Sequence, residues 1–320
     1  MNHLHFIWKN MVRNRRRTVL TILSIALSLF VLATLMTVLT ELNREPEGED
    51  THLRLVVRRA SSLGDRLPEA YAAKLARVPG VRIVHALTWF GGIYIDEANF
   101  FANFACDPDT LFPVFPENRI PPEQLKAFQK ERTAAVAGRK LVERFKWRLG
   151  DRITLQGTIY PVDLEFVLRG IYTGTDETAF FFHRAYLEES LGRPGKVGTF
   201  WLKAASAADI PRIMEAVDTM FKNSDAETKT ETERAFQLGF VSMMGNVKTL
   251  VAGISSVVVF TILLVTANTM AMSIRERARE IAILKTLGFG RRRLLAILMA
   301  ESAAIALIGG ALGTVGARLF

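Results

Sequence analysis

The sequence predicts an α-helical membrane protein with an inserted extracytoplasmic α+β domain. Two uncharged runs, residues 18–40 and 250–274, are each long enough to cross a bilayer as a helix. Between them, short apolar strands alternate with amphipathic helices, a pattern typical of a water-soluble domain. Basic residues flank both runs, which predicts that the inserted domain lies outside the cytoplasm.

The positive charge is concentrated beside the apolar runs. Residues 41–246 carry 27 Lys/Arg and 29 Asp/Glu, whereas the rest of the chain carries 14 and 3. Because Lys and Arg are enriched on the cytoplasmic side of membrane helices, the N-terminus is expected in the cytoplasm and residues 43–249 outside it. Nucleic-acid binding needs a basic face on a folded domain, so we expect no nucleic-acid partner.

The N-terminal segment is predicted to rest on the lipid bilayer. Residues 1–17 form a cytoplasmic amphipathic helix with Trp8 at headgroup depth, or alternatively a disordered basic tail. The first transmembrane helix follows over residues 18–42. It is too long for the apolar part of a signal peptide, and no small-residue cleavage motif follows it, so it is expected to remain uncleaved.

The inserted domain is assigned to residues 43–235 and is expected to have two subdomains. Its two ends form one subdomain, and an inner insertion at about residues 107–197 forms the other. Strands are predicted over residues 52–58, 81–95 with an interruption at Gly91-Gly92, 99–106, 151–156, 160–172 and 198–204, and helices over 68–78, 121–131, 135–146 and 207–222.

Two features of this domain have competing interpretations. Cys106 is the only cysteine, and its apolar neighbours favour a buried, inert thiol over a reactive one. The aromatic run of residues 180–182 is interpreted as a core strand rather than a contact surface for a hydrophobic cargo.

The remaining residues predict two further membrane helices joined by a cytoplasmic segment. Residues 236–274 form a stalk and the second transmembrane helix, 275–293 a coupling helix and basic turn, and 294–320 the third transmembrane helix. We expect residues 236–288 to form one continuous rod.

The third transmembrane helix carries two unusual features. Small residues at a spacing that favours helix packing over mere flexibility are Gly309, Gly310, Gly313 and Gly316. Glu301 is its one acidic residue, and a local ion pair is favoured over a proton or substrate role.

The sequence contains no recognisable catalytic motif. Residues 192–197 come nearest to a phosphate-binding loop, but they include a proline and lack the Ser or Thr that binds Mg²⁺. The five histidines have no metal-ligand spacing. We therefore expect no enzymatic activity, no metal and no cofactor in this chain.

An ordered set of residues follows the second membrane helix. It comprises Arg279-Glu280, Ile283-Leu284, Leu287-Gly288, Arg291, Glu301, Gly309-Gly310 and Gly313. In this order the stretch resembles the FtsX-like permease family, the MacB-type or type VII ABC transporters. Residues 137–155 and 166–171 are similar, less specifically, to the extracytoplasmic core domain of that family.

The resemblance implies a permease subunit that pairs with a second permease subunit and with separate ABC ATPase subunits, which bind ATP and Mg²⁺. Such permeases relay ATP-driven motion to the outer domain, a process called mechanotransmission, for export or extraction of a cargo from the bacterial cell membrane. An outer-side adaptor protein is a further implied partner. The alternative is a non-transporting signalling or scaffold protein that controls an outer-side partner.

The resemblance also implies where the ATPase docks. The implied docking residues are Arg279, Glu280, Ile283, Leu284, Lys285, Leu287, Gly288 and Phe289. The family has four transmembrane helices, so a fourth is expected to be missing from this sequence, and the glycine face of residues 309–316 is expected to lack it as a partner.

Overall fold

The computed structural model describes residues 15–42, 50–243, 247–276, 278–286 and 290–319. The chain divides into two compact units. We call Met1–Arg44 with Phe240–Phe320 the membrane unit and Glu45–Gly239 the outer domain. The predicted N-terminal amphipathic helix falls mainly on residues 1–14, outside the described part.

The α-helices are α1 (Arg15–Leu42), α2 (Tyr71–Leu75), α3 (Pro108–Val114), α4 (Pro122–Lys130), α5 (Arg139–Phe145), α6 (Arg184–Ser190), α7 (Ile210–Met220), α8 (Glu233–Met243), α9 (Val247–Glu276), α10 (Ala278–Thr286) and α11 (Arg291–Leu319). The strands are β1 (Arg54–Arg59), β2 (Leu67–Pro68), β3 (Val81–Trp89), β4 (Asn103–Cys106), β5 (Ala134–Gly138), β6 (Arg152–Leu155), β7 (Leu164–Tyr172), β8 (Phe180–His183), β9 (Lys196–Val197), β10 (Thr199–Ala204) and β11 (Thr228–Thr232).

Three helices are long and apolar enough to cross a membrane, as predicted. The spans are Thr18–Val38 in α1, Thr249–Glu276 in α9 and Ser302–Leu319 in α11. Residues 244–246 and residue 277, which separate α8, α9 and α10, lie outside the described residues. The continuous rod over residues 236–288 therefore stays a prediction.

The outer domain is built on one nine-stranded sheet, in the order β11-β1-β10-β3-β4-β8-β5-β7-β6. The first four strands come from the two ends of the domain sequence and the other five from its middle. The two halves are joined by the antiparallel pair β3 and β4, where Trp89 lies opposite Phe104. The two predicted subdomains are thus halves of one continuous sheet.

The outer domain has three hydrophobic clusters, of which two belong mainly to one half of the sheet each and the third includes residues of both halves. In the half built from the domain ends, α7 buries Ile213 and Val217 against strand residues such as Leu55. In the middle half, backbone hydrogen bonds of 2.9 Å run in both directions between Ile93 and Gln156. This bridge joins the segment that follows β3 to the residue that follows the edge strand β6.

Two predicted elements are wrong in detail. Residues 135–146 are not one helix, because Ala134–Gly138 forms the buried strand β5 between β7 and β8, and only Arg139–Phe145 is helical. Pairing to two neighbouring strands overrides the helical preference of its alanines. The strand predicted over residues 81–95 ends at Trp89 and does not resume after the predicted interruption at Gly91-Gly92, where Gly91 takes a φ of 67°.

The run of residues 180–182 lies in β8, between β4 and β5, and its side chains are buried. The core-strand interpretation is therefore confirmed.

Candidate functional site

The segment predicted to dock an ATPase lies on α10. Arg279, Ile283 and Lys285 are exposed along this helix, and Ile283 keeps 60% of its surface accessible. Arg279 precedes Ile283 by four residues, so the two side chains share one face of the helix, whereas Lys285 lies on another face. The shared face combines an apolar anchor with a charge that can steer a partner. Outside the described part lie the side chains of Glu280 and Leu284 and the residues Leu287, Gly288 and Phe289.

The glycines of α11 lie against α1. A Cβ added to Gly313 would lie 2.4 Å from the carbonyl oxygen of Ala26, and one added to Gly309 would lie 2.9 Å from a side-chain atom of α1. A Cβ on Gly310 or Gly316 would keep an ordinary distance of 3.5 Å from α1. Close approach of the two backbones therefore requires glycine at positions 309 and 313. We call this contact the α1–α11 seam.

The seam gives the glycine face a partner within the chain. The sequence led us to expect that this face would lack a fourth helix as a partner, and α1 packs there instead. Glu301 belongs to α11, but its side chain lies outside the described part. The choice between an ion pair and a proton or substrate role thus stays open.

A buried ionic cluster lies where the chain leaves the outer domain. The Arg54 side chain, only 1% exposed, donates from Nε to Glu233 Oε2 at 2.6 Å. Its Nη1 donates to Glu117 Oε2 at 2.9 Å, and its Nη2 lies 2.8 Å from Glu117 Oε1. Nη1 also donates to the carbonyl oxygen of Val114 at 3.2 Å. We call Arg54, Glu117 and Glu233 the Arg54 cluster.

The Arg54 cluster connects three parts of the outer domain. Arg54 opens β1, Glu233 is the first residue of α8, and Glu117 follows α3 in the middle of the domain sequence. The start of α8 is also held by its cap, because Thr232 Oγ1 accepts the Ala235 N–H at 3.2 Å. The root of the helix that leads towards the membrane is therefore fixed to both halves of the sheet.

The electrostatics keep Arg54 charged. Burial by itself would lower the pKa of the Arg54 guanidinium, but the hydrogen bonds to Glu233 and Glu117 raise that pKa above its ordinary value. A bidentate contact to one carboxylate and a short bond to another satisfy most of its donors. Removing the arginine would leave Glu233 buried without a counter-charge.

Sequence reasoning missed the Arg54 cluster. Its members are separated by 63 and 179 residues from Arg54, so no local motif joins them. Arg54 stands in the run HLRLVVR, where a strand of alternating character would place it at a surface. A single sequence carries no signal of this long-range pairing.

Other ionisable groups of the outer domain are buried without forming a catalytic arrangement. Burial raises the pKa of the Cys106 thiol, so an inert thiol is the better interpretation. Burial lowers the pKa of His85 to about 3, and its Nδ1 lies 2.8 Å from Thr110 Oγ1. Among the described residues, no group of three His, Cys, Asp or Glu side chains is placed to hold a metal ion.

Comparison with known protein families assigns most of the chain. The model of the MacB-like periplasmic core domain matches residues 18–220, and that of the FtsX-like permease C-terminal region matches residues 252–320. The chain belongs to the FtsX-like, MacB-type permease family. This FtsX-like protein is accordingly an ABC transporter permease with membrane-spanning helices and a periplasmic domain.

The FtsX-like chain is similar to individual proteins over most of its length. An ABC transporter permease of Methanocaldococcus jannaschii is 23% identical, and the alignment covers 97% of this chain and 81% of that protein. The extracellular domain of the transporter YknZ from Gram-positive bacteria matches with a TM-score of 0.43 and 13% identity, over 56% of this chain and 99% of that one. The periplasmic region of MacB from Actinobacillus actinomycetemcomitans gives a TM-score of 0.44 and 10% identity, over 59% and 92%.

Proposed function

We propose that this permease relays motion from a separate ATPase, docked on α10, to the outer domain. The observation that carries the proposal is the exposed surface of α10, which follows the membrane helix α9 after one residue. Arg279 and Ile283 on that surface suit a groove with an apolar floor and acidic rim. In this proposal the ATPase binds ATP and Mg²⁺, and the permease chain binds no cofactor.

The Arg54 cluster supports the second half of the relay. If residues 236–288 form the predicted rod, a displacement of α9 acts on the root of α8. That root is held by the bond between Glu233 and Arg54, and Arg54 also holds Glu117. A displacement of α8 would therefore load both halves of the sheet through Arg54, and also through Phe236 of α8, which packs on Trp201.

The remaining assignments follow from the same proposal. The protein works in the cell membrane with its N-terminus in the cytoplasm, because its basic residues flank the membrane helices on the side of α10. It pairs with a second permease subunit, and an outer-side adaptor contacts the periplasmic domain. The cargo is exported, or extracted from the outer face of the membrane.

The docking is tested by one charge placed on the exposed face of α10. Ile283→Asp should abolish ATPase activity stimulated by the permease, since it puts a carboxylate at the apolar anchor. Ala282→Asp adds the same charge at a neighbouring exposed position and serves as the matched control. The assay compares ATP hydrolysis by the co-expressed ATPase in isolated membranes. Equal stimulation by both variants would contradict docking at Ile283.

A second assay separates transport from signalling. The assay measures release of a cargo on addition of ATP, which is expected only of a transporter. If ATP hydrolysis changes the activity of an outer-side partner but releases no cargo, the protein is a signalling protein instead.

A further inference from the structure

Two aromatic ring nitrogens on neighbouring strands of the outer domain are buried without a hydrogen-bond partner among the described residues. They are Nε2 of His85 in β3 and Nε1 of Trp201 in β10. His85 is fully buried, and Trp201 keeps only 8% of its surface exposed. Buried polar groups of folded proteins are generally paired with protein or with ordered water, so each of these nitrogens needs a partner.

The two nitrogens belong to side chains that lie next to each other. Trp201 is directly opposite His85 in the antiparallel pairing of β10 with β3, so both side chains project from the same face of the sheet. At such positions the Cβ atoms are about 4.5–5.5 Å apart. Both rings also contact the ring of Phe115, with centroid distances of 6.0 Å for His85 and 5.1 Å for Trp201. The two nitrogens therefore belong to one buried site.

The hydrogen-bonding roles of the two nitrogens are complementary. The hydroxyl of Thr110 donates to the carbonyl oxygen of Asp107 at 3.4 Å, so its oxygen accepts the Nδ1–H of His85 at 2.8 Å. Burial lowers the pKa of His85 to about 3, so the ring is neutral and its Nε2 is an acceptor without a proton. The indole Nε1–H of Trp201 is a donor only. The site thus offers one donor and one acceptor.

Both rings are held by other contacts, and they make no hydrogen bond to each other. His85 is fixed at Nδ1 by Thr110, and Trp201 packs on Phe236 with a centroid distance of 6.1 Å. Phe115 packs edge-on against both rings. A direct bond between the two nitrogens would disturb this packing, whereas a small molecule placed between them would not.

We propose that a single buried water molecule is bound between His85 Nε2 and Trp201 Nε1. The water oxygen accepts the indole N–H, and one of its O–H groups donates to the imidazole nitrogen, so one molecule satisfies both groups. Buried waters in folded proteins make about two to four such bonds. An apolar molecule at this place would leave both nitrogens unpaired.

The water completes a polar chain through the hydrophobic core of the outer domain. The chain runs from the Asp107 carbonyl through Thr110, His85 and the water to Trp201. It fixes the orientation of the Trp201 ring, on which Phe236 of α8 packs. The water site lies within the outer domain and does not depend on the proposed docking of an ATPase.

Nuclear magnetic resonance of the full chain in micelles tests the site. In a chain that contains ¹⁵N-labelled tryptophan, the indole signal of Trp201 is the one that Trp201→Phe removes. Its N–H proton should show a nuclear Overhauser cross-peak at the water frequency, because the water lies against it and His85 Nε2 carries no proton. His85→Phe replaces the acceptor by an apolar ring of similar size and should abolish this cross-peak.

Two controls accompany the measurement. His85→Gln places its amide close to the position of Nε2 and should retain the cross-peak. The Raman band of the Trp201 indole, isolated by difference against Trp201→Phe, should be that of a hydrogen-bonded N–H. Trp147 is equally buried, at 7% exposure, and donates to the Tyr94 hydroxyl at 3.1 Å, so its band is the reference for a bonded indole and should not change in His85→Phe.

Three results would overturn the proposal. The first is a Trp201 band of an unbonded N–H, and the second is a bonded band without the cross-peak, which would indicate a direct bond to His85. The third is a cross-peak that persists in His85→Phe, because the water would then not be held by His85. The first two are measured on the chain with its native His85, so they decide the proposal even if His85→Phe does not fold.

Discussion

The outer domain and the membrane unit satisfy their polar groups in different ways. In the outer domain, the buried guanidinium of Arg54 finds two carboxylates and a carbonyl oxygen in its own domain. In the membrane unit, α1 and α11 meet closely at Gly313, whereas α9 keeps the amide of Asn268 exposed. The charge of Arg54 is thus balanced within the outer domain itself. In the membrane unit, α1 contacts both α11 and α9, and part of the α9 surface stays exposed.

This difference indicates where each unit obtains its stability. The outer domain depends on contacts within the chain, so single substitutions there should change its unfolding directly. The membrane unit depends on the seam and on molecules outside the chain, which include lipid and the proposed second copy.

The largest expected effect is the loss of Arg54. Arg54→Ala leaves Glu233 buried beside Glu117 without a counter-charge, so the free energy of unfolding of the outer domain should fall by about 3–5 kcal/mol. Chemical denaturation of the solubilised full chain, followed by tryptophan fluorescence, measures this loss. Arg152→Ala breaks the exposed pair with Glu165 and should cost less than about 1 kcal/mol. Similar losses of stability in the two variants would show that the buried Arg54 cluster stabilises the domain no more than an exposed ion pair does.

An intermediate effect is expected at the α1–α11 seam. Gly313→Leu places a side chain where Ala26 already lies, and overpacking of this kind costs about 1–3 kcal/mol. Leucine favours the helical conformation more than glycine does, so any loss of stability must come from the crowded contact between α11 and α1. The unfolding of the full chain in a graded series of SDS-containing micelles measures it. Ala311→Leu, on the exposed side of α11, is the control and should be neutral. An unchanged free energy of unfolding in Gly313→Leu would mean that close packing at the seam does not stabilise the contact between α1 and α11.

The smallest effect concerns His85, one of the buried outer-domain side chains that has a polar atom without a hydrogen-bond partner among the described residues. His85 is buried, its Nε2 has no hydrogen-bond partner among the described residues, and its pKa is about 3. In the unfolded chain this histidine has its ordinary pKa near 6.5. Between pH 6.5 and pH 3, the unfolded chain therefore binds a proton at His85 more readily than the folded chain does. Stability should therefore fall as the pH drops from about 6.5 towards 3.

The His85 contribution is isolated by comparing pH profiles. The unfolding midpoint of His85→Phe should fall less between pH 7 and pH 4 than that of the unsubstituted chain, because the titrating group is absent. The carboxylates titrate in both proteins, so the difference between the two profiles reports on His85. Parallel profiles would mean that His85 does not charge on unfolding.

The features that could be predicted correctly from the sequence are those encoded in short, contiguous stretches. Run length predicted the three membrane spans, and the spacing of Gly309 and Gly313 predicted a packing surface. The wrong prediction at Ala134–Gly138 has the opposite cause, because those residues pair with β7 and β8, far away in the sequence. The Arg54 cluster and the exposure of Asn268 also depend on tertiary contacts. No local sequence pattern reports such contacts, so neither feature could be predicted from the sequence.

The central claim is that ATP-driven motion at α10 reaches the outer domain. The direct measurement is the distance between spin labels at Glu215→Cys, an exposed position on α7, in the two copies of a Cys106→Ala permease bound to its ATPase. The distance distribution should shift between the nucleotide-free and the ATP-trapped complex, and Ile283→Asp should remove the shift. Identical distributions in both states, while ATP is hydrolysed, would show that the motion does not reach the outer domain.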